Sequence, residues 1–398
     1  MQSLVIIGGG FAGFWTAVSA ARQSRTLARR SDLNIILLSL NEYLSIRPRF
    51  YENRFDDMRV LMKKYFEPLG IDLRIGKTVG IDTDQRTVLS VDSEGKEANL
   101  SYDGLVLASG SRVKRPGIPG FDHTLNVDTF DNAIALERHL QKLSSSGFPS
   151  SSSRTFVVVG ASFTGIEVVT KLLERLRSLA PDENRFNLVL SDHSFTIAPG
   201  YSMEGREIIR QDLERNGVRL LLGEEVAAID HDRIFFKSGQ SLQTMTVIWC
   251  GGLEASPLTG EFGGVRDALG RLPVDRFLRI EGHGVHFAAG DVARAYVDEE
   301  NLSVMSCQHA VPQGKLAGHN AVNALFDKDL VAYLQPDYRT CLDLGPGNAL
   351  LTSGWERTPR GSGKDAKAVK EEIVTQWIVP DPDFKETLRK SDPFLGPW

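Results

Sequence analysis

Cysteine is scarce in this chain: three residues among 398, at positions 250, 307 and 341, with no Cys-x-x-Cys spacing. That excludes a disulfide scaffold, leaves no metal site to expect, and fits a reducing, cytoplasmic compartment. Excess positive charge is missing too. The net charge is −5, so nothing global points to nucleic acid. Small basic clusters at Arg22, Arg25, Arg29 and Arg30, and at Lys364, Lys367 and Lys370, read as solvated helix faces at least as well as sites for an anion. The long uncharged run, residues 4–21, has no basic segment before it and three consecutive glycines inside it. It is therefore not read as a targeting or membrane segment. Beyond two glycine loops there is no internal repeat. What remains is ordinary globular composition, 41% hydrophobic and 24% charged, enough for two or three domains with cores.

The uncharged run is itself the main signal. It reads Leu4-Val-Ile-Ile-Gly8-Gly-Gly10-Phe11-Ala12-Gly13, a β-branched strand breaking into Gly-x-Gly-x-x-Gly and continuing as helix. Such a strand–turn–helix binds a dinucleotide pyrophosphate. Gly8 permits the tight turn, Gly10 lets phosphates approach the backbone, and Gly13 lets helix and strand pack closely. A second copy, Val159-Gly160-Ala-Ser162-Phe-Thr-Gly165-Ile-Glu167, puts Ser162 where the middle glycine would be. Strand 187–192 follows it and ends in Asp192, near the spacing of a ribose-binding carboxylate. Asp192 would repel a 2′-phosphate, which favours NADH over NADPH. After the first loop, strand 34–38 ends at Ser39 rather than an acid, with Asn41 and Glu42 close behind; which of them meets a ribose stays open.

Other stretches fill in the order. Pro48 forces Arg47 out of helical geometry, and Arg47 and Arg49 could face phosphate or a flavin ring or be loop charges. Residues 71–75 and 79–91 read as short strands, with a turn at 92–95. A buried strand ends in Ser109-Gly110-Ser111, small enough to pass close to a nucleotide, and Pro116 and Pro119 mark a linker. The serine-rich stretch 144–153 reads as a loop. Trp249-Cys-Gly251-Gly closes the second unit, Gly290-Asp291 ends another buried strand, and a helix is expected to start near Pro312, led in by a loop at 306–311.

One dinucleotide unit inserted in another suggests two cofactors facing each other. The arrangement resembles the two-dinucleotide-binding-domain flavoprotein superfamily. The two glycine loops, Leu105-Val-Leu-Ala-Ser109-Gly110, Trp249-Cys-Gly-Gly and Phe287-Ala-Ala-Gly290-Asp291 carry the likeness in the expected order. Within it the chain looks most like type II NADH dehydrogenases, through Tyr43…Pro48…Tyr51-Glu and Gln308-x-Ala310-x-x-Gln313-Gly. The resemblance implies an α/β fold of two Rossmann-like domains: an FAD domain at 1–115 and 270–330, an NAD(H) domain inserted at 116–269, and a small C-terminal α+β region at 331–398. It places Asp291 on the ribityl or phosphate portion of FAD and Glu167 near the nicotinamide. Gln308, His309 and Gln313 would lie by the flavin on the acceptor side, with His309 a candidate proton donor or a structural residue.

Three departures qualify the likeness. Ser39 replaces the FAD-ribose acid, Pro312 replaces a glutamine, and the tail after Trp377 is short and polar for paired amphipathic membrane helices. Disulfide reductases of the superfamily carry a cysteine pair in the first domain; this chain has no cysteine before Cys250. The expected activity is thus an FAD-dependent NADH oxidoreductase, with NADP(H) disfavoured. A small-molecule acceptor, a quinone or another, takes the electrons. No nucleic acid or integral membrane segment is expected, a homodimer stays open, and a place at the membrane periphery is the alternative to the cytoplasm. The rivals are a flavoenzyme of specialised metabolism with its own substrate, and a flavin- and NADH-binding signalling protein with little turnover.

Overall fold

The computed structural model describes residues 1–181 and 186–396. Gln2–Ile7 forms β1, its last four residues fully buried, as an apolar run in a central parallel strand must be. The chain turns through the glycines and enters helix α1, Phe11–Thr26. Strands β2 (Leu33–Ser39), β3 (Asp72–Ile75) and β4 (Gly104–Leu107) follow. All run parallel, with β1 between β2 and β4 and β3 outside β2. Between β3 and β4 lies a separate antiparallel sheet of Lys77–Asp82, Thr87–Val91 and Glu97–Ser101. A turn after Asp82 splits the expected 79–91 segment into two of these strands.

Ser111–Val113 then leads out of the first sheet and pairs antiparallel with Leu253–Ala255, the strand that leads back. The return falls ahead of the expected position 269, because Ala255 and Phe262 already belong to the first domain's core. Between the crossings come helix α2 (Phe130–Ser145), β5 (Thr155–Val159), α3 (Phe163–Leu179), β6 (Asn187–Asp192), α4 (Met203–Arg215), β7 (Val218–Leu222) and β8 (Thr246–Trp249). Their sheet is again parallel, in the order β7-β6-β5-β8. The serine-rich stretch is more ordered than a loop. Ser144 and Ser145 finish α2, and Ser150 and Ser153 form a reciprocal capping box around the helical turn Ser151–Arg154.

Strand β9 (His286–Ala288) completes the first sheet beside β4. Helix α5 (Cys307–Leu325) packs along α1. Their backbones touch: a Cβ on Gly314 or Gly318 would overlap the Ala12 or Thr16 carbonyl. Strands β10 (Arg339–Asp343), β11 (Ala349–Ser353) and β12 (Thr358–Ser362) form an antiparallel sheet, followed by α6 (Lys364–Glu372) and α7 (Phe384–Lys390). The chain is an α/β protein of two parallel Rossmann-like units, one inserted in the other. Among the described residues no helix is long and apolar enough to cross a membrane.

Candidate active site

Both glycine loops open on one cavity of about 2320 Å³. That is well above the ~300–1,000 Å³ of a site for one small ligand. Four helices begin on its wall: α1 at Phe11, α2 at Phe130, α3 at Phe163 and α5 at Cys307. Thr129 caps α2, which carries Asp131 in its first turn; among the described residues no side chain caps α1, α3 or α5, and none of these three has an acidic residue in its first turn. Free N–H groups and the positive ends of three helix dipoles therefore face one space, which suits phosphates and other anions. A Cβ at Gly10 would meet nothing within 4 Å, so the first loop has room for a ligand against its backbone. Gly13 instead serves packing, because a Cβ there would overlap the Gly8 carbonyl. Ser109 Oγ and Ser306 Oγ are buried on the same wall without a hydrogen-bond partner among the described residues. These features fit a bound dinucleotide.

The sequence-derived residues divide between wall and frame. Gly8, Gly10, Phe11, Ala12, Ser39, Arg47, Ser109, Gly110, Ser162, Glu167, Gly290, Asp291, Gln308 and Ala310 line the cavity. Gly13, Gly160, Gly165, Asp192, Gly251, His309 and Gln313 do not. Gly165 packs as Gly13 does, with no room for a Cβ beside the Gly160 carbonyl. A Cβ at Gly251 would lie 2.8 Å from the Trp249 ring. Asp192 braces the second loop: Oδ2 accepts from Ala161 N–H at 2.6 Å and Oδ1 from Ser194 N–H at 2.8 Å.

Where the domains cross, a polar cluster forms that the sequence shows only in part. Ser111 Oγ donates to Asp291 Oδ2 at 2.6 Å, and Arg47 Nη1 donates to Ser111 Oγ at 2.9 Å. Arg47 also pairs with Asp128, whose other oxygen accepts from Val113 N–H at 2.9 Å. Burial lifts the Asp291 carboxyl above its ordinary range, with Ser111 and Arg47 opposing the lift. Arg47 is thus held by two carboxylates and a serine rather than being a free loop charge.

The acceptor-side segment departs most from expectation. Helix α5 starts at Cys307, so residues 307–311 are helical and Pro312 lies inside the helix. Proline has no N–H to give the carbonyl four residues back. Here that carbonyl, on Gln308, accepts from Gln335 Nε2 at 3.0 Å. A residue distant in sequence supplies the missing donor, which is why local reading placed the helix start too late. Gln308 faces the cavity, its amide set to exchange hydrogen bonds with the Arg339 backbone at 2.5 and 3.2 Å. Gln313 points away, and its Oε1 accepts from Gly290 N–H at 2.7 Å. His309 is buried, 3.2 Å from Gln335 Oε1 and nearly parallel to the Tyr338 and Trp355 rings. Burial pushes its pKa down to about 4, so it is neutral near pH 7 and is no proton donor there. His309 and Gln313 frame the site rather than line it.

Lys367 and Lys370, read as part of a solvated face, are buried. Lys370 Nζ donates to Glu167 Oε1 at 2.7 Å, and the same oxygen accepts from Asp343 N–H at 2.9 Å. Lys367 Nζ donates to both Asp343 oxygens at 2.7 Å. The spacing of three residues, which puts both lysines on one helix face, was the available signal. Burial raises Glu167 above the usual carboxylate range against the pull of Lys370. Burial also works against charge on Lys370, but Glu167 outweighs it and keeps the ammonium protonated. The three cysteines are free, and burial pushes the Cys307 thiol, on the cavity wall, up to about 11.

Residues 2–314 match the family model described as pyridine nucleotide-disulphide oxidoreductase. An NADH dehydrogenase-like protein of Mycobacterium tuberculosis is 42% identical over 384 residues, covering 96% of this chain and 95% of that protein. A type II NADH:quinone oxidoreductase of Staphylococcus haemolyticus is 24% identical over 398 residues, covering 95% of each. Among solved structures, NDH2 from Plasmodium falciparum in complex with NADH superposes with a TM-score of 0.78 at 14% identity, covering 98% of this chain and 97% of that one. This last likeness speaks to the fold. The chain belongs to the pyridine nucleotide-disulphide oxidoreductase family and is an NADH dehydrogenase-like enzyme whose cofactors are FAD and NAD(H).

Proposed function

We propose that this enzyme oxidises NADH and delivers the two electrons to a quinone or another small acceptor. The observation that carries the reading is the single cavity onto which three uncapped helix N-termini and a C-terminal wall open together. It has room for a flavin dinucleotide, a nicotinamide dinucleotide and an acceptor side by side. Two relatives support the acceptor class by name: the staphylococcal NADH:quinone oxidoreductase and a demethylphylloquinone reductase of Synechocystis, 24% identical over 359 residues.

In this reading FAD, when bound, supplies the two-electron carrier between NADH and acceptor. The chain supplies position and electrostatics. The α1 N-terminus and Gly10 would hold the FAD pyrophosphate, and Ser39, Asn41 or Glu42 would meet its ribose. Asp291, fixed by Ser111 and Arg47, would hold the ribityl or phosphate portion of FAD. The α3 N-terminus at Ser162 would hold the NADH phosphates, and Asp192, which braces that loop through Ala161 N–H, would meet the adenine ribose beyond the cavity wall. The α5 N-terminus would turn the positive end of its dipole toward the flavin. Glu167 and Lys370 hold a proton at the cavity wall. Gln308 and Ala310 border the acceptor.

The test is steady-state turnover of purified enzyme with NADH and a panel of quinones of graded polarity. Turnover with NADH across the panel supports the reading. Slow reoxidation by every quinone, with one unrelated organic substrate restoring turnover, would replace it with the specialised-metabolism reading.

A further inference from the structure

On the wall of the main cavity Arg47, Arg112 and Arg271 are each paired with a carboxylate, that of Asp128, Glu254 and Asp267. Arg339, Arg357 and Arg360, all from the C-terminal sheet and its turns, are different. Among the described residues no carboxylate lies within ion-pair distance of them, although Asp337 lines the same space. Arg339 stands directly across from Ser353 between β10 and β11, and Arg360 Nε donates to Ser353 Oγ from β12. Directly opposed residues share a face of a sheet, so these side chains rise from one side. Arg357 sits in the turn between β11 and β12 at a φ of +49°, a conformation rare outside glycine. Its Nη2 donates to Tyr338 Oη at 3.0 Å, and its guanidinium lies 4.9 Å from the centre of the Tyr201 ring and 5.6 Å from that of Tyr338. Aromatic faces hold a guanidinium in place without neutralising it. In a chain with more acids than bases, three permanent positive charges are thus gathered on one wall without a counter-charge. Such a wall draws an anion from outside.

We propose that the C-terminal sheet carries a binding site for an anionic group, a carboxylate or phosphate, borne by the molecule that takes the electrons: the acceptor is a quinone with an acidic side chain. Arg357 supplies a fixed fork for the anion. Arg339 and Arg360 close on it from the two edge strands, and the Ser353 hydroxyl donates between them. The phosphates of NADH are a second source of the same chemistry. Tyr201 belongs to a segment bonded to the second glycine loop, Ala198 N–H donating to the Ala161 carbonyl at 2.9 Å.

The inference rests on the quinone reading above, and the experiment separates the two. Holoenzyme is reduced with NADH and reoxidised in stopped flow with a naphthoquinone bearing a propionate side chain, or with the methyl ester of that quinone, whose ring chemistry is the same. Wild type is compared with the double variant Arg339→Gln/Arg360→Gln and with Arg357→Lys. In the double variant the half-saturating concentration of the acid should rise at least ~tenfold, the order of one lost charge-assisted hydrogen bond, while that of the ester stays near wild type. Both arginines are exposed, so the melting temperature should hold. Arg357→Lys keeps the charge but not the planar fork, and should weaken the acid less. Wild type should bind the acid more tightly than the ester and lose that advantage as salt is raised. A rise in the KM for NADH, with the acid unaffected, assigns the cluster to the nucleotide and overturns the acceptor site. Equal half-saturation by acid and ester in wild type also overturns it and leaves the quinone reading standing. Wild-type enzyme that no quinone reoxidises overturns the function and the site with it.

Discussion

Single residues here owe their roles to what surrounds them, and His309 is the plainest case. Its type suggests a proton donor, yet its place among Tyr338, Trp355 and Gln335 keeps it neutral. With a folded pKa near 4, below that of the unfolded chain, the unfolded state binds more protons between about pH 4 and 6.5. His309 therefore lowers stability as pH falls through that window, and the slope should flatten in His309→Phe, read from melting temperature against pH. In that variant quinone reoxidation near pH 7 should change little. Lys315 behaves in the same sense at higher pH. It is 3% exposed, its Nζ sits 4.9 Å from the Trp15 ring, and burial pushes its pKa down to about 8. Below pH 8 the fold carries the cost of its charge, and stability recovers as pH rises from about 8 to 10.5. Lys315→Met should thus stabilise at pH 7 by on the order of 1–2 kcal/mol and gain less at pH 10, by denaturant titration at both values. Asp192→Ala should raise the KM for NADH about ten- to a hundredfold, from a lost charge-assisted bond of about 1.5–3 kcal/mol, and narrow the gap to NADPH. Equal use of both nucleotides by the unmodified enzyme would contradict the role given to Asp192.

At the scale of elements, the glycine loops were legible because their chemistry is local: strand, turn and helix N-terminus sit within about ten residues. Gly10→Val should fill the open space beside the first loop and yield protein without flavin colour, visible in the spectrum on purification. Gly314→Val should instead press into the Ala12 carbonyl and separate α5 from α1, lowering the melting temperature as well as flavin content. What the sequence did not disclose depends on partners far along the chain. The start of α5 was misplaced because Gln335 supplies the bond that Pro312 cannot. The Lys367–Asp343 and Lys370–Glu167 pairs were hidden for the same reason: Glu167 and Lys370 meet across 203 positions. Pattern reading sees the helix face of α6 but not that it packs on the sheet of β10, β11 and β12 and reaches Glu167 on α3.

At the scale of the molecule, motif order alone predicted the nested pair of Rossmann-like units, and the parallel sheets bear that out. Paired crossing strands at Ser111–Val113 and Leu253–Ala255 join the units, and Arg47 and Asp128 tie them together beside the crossing. The C-terminal sheet with α6 closes the cavity that both units line. The absent cysteine pair in the first domain fits this arrangement, since nothing in the account routes electrons through sulfur. The most direct test is an anaerobic titration of the purified holoenzyme, following the flavin absorbance. One equivalent of NADH should bleach the flavin, and one equivalent of quinone should restore the colour. A flavin that NADH leaves oxidised, or that stays bleached with every quinone supplied, would contradict it.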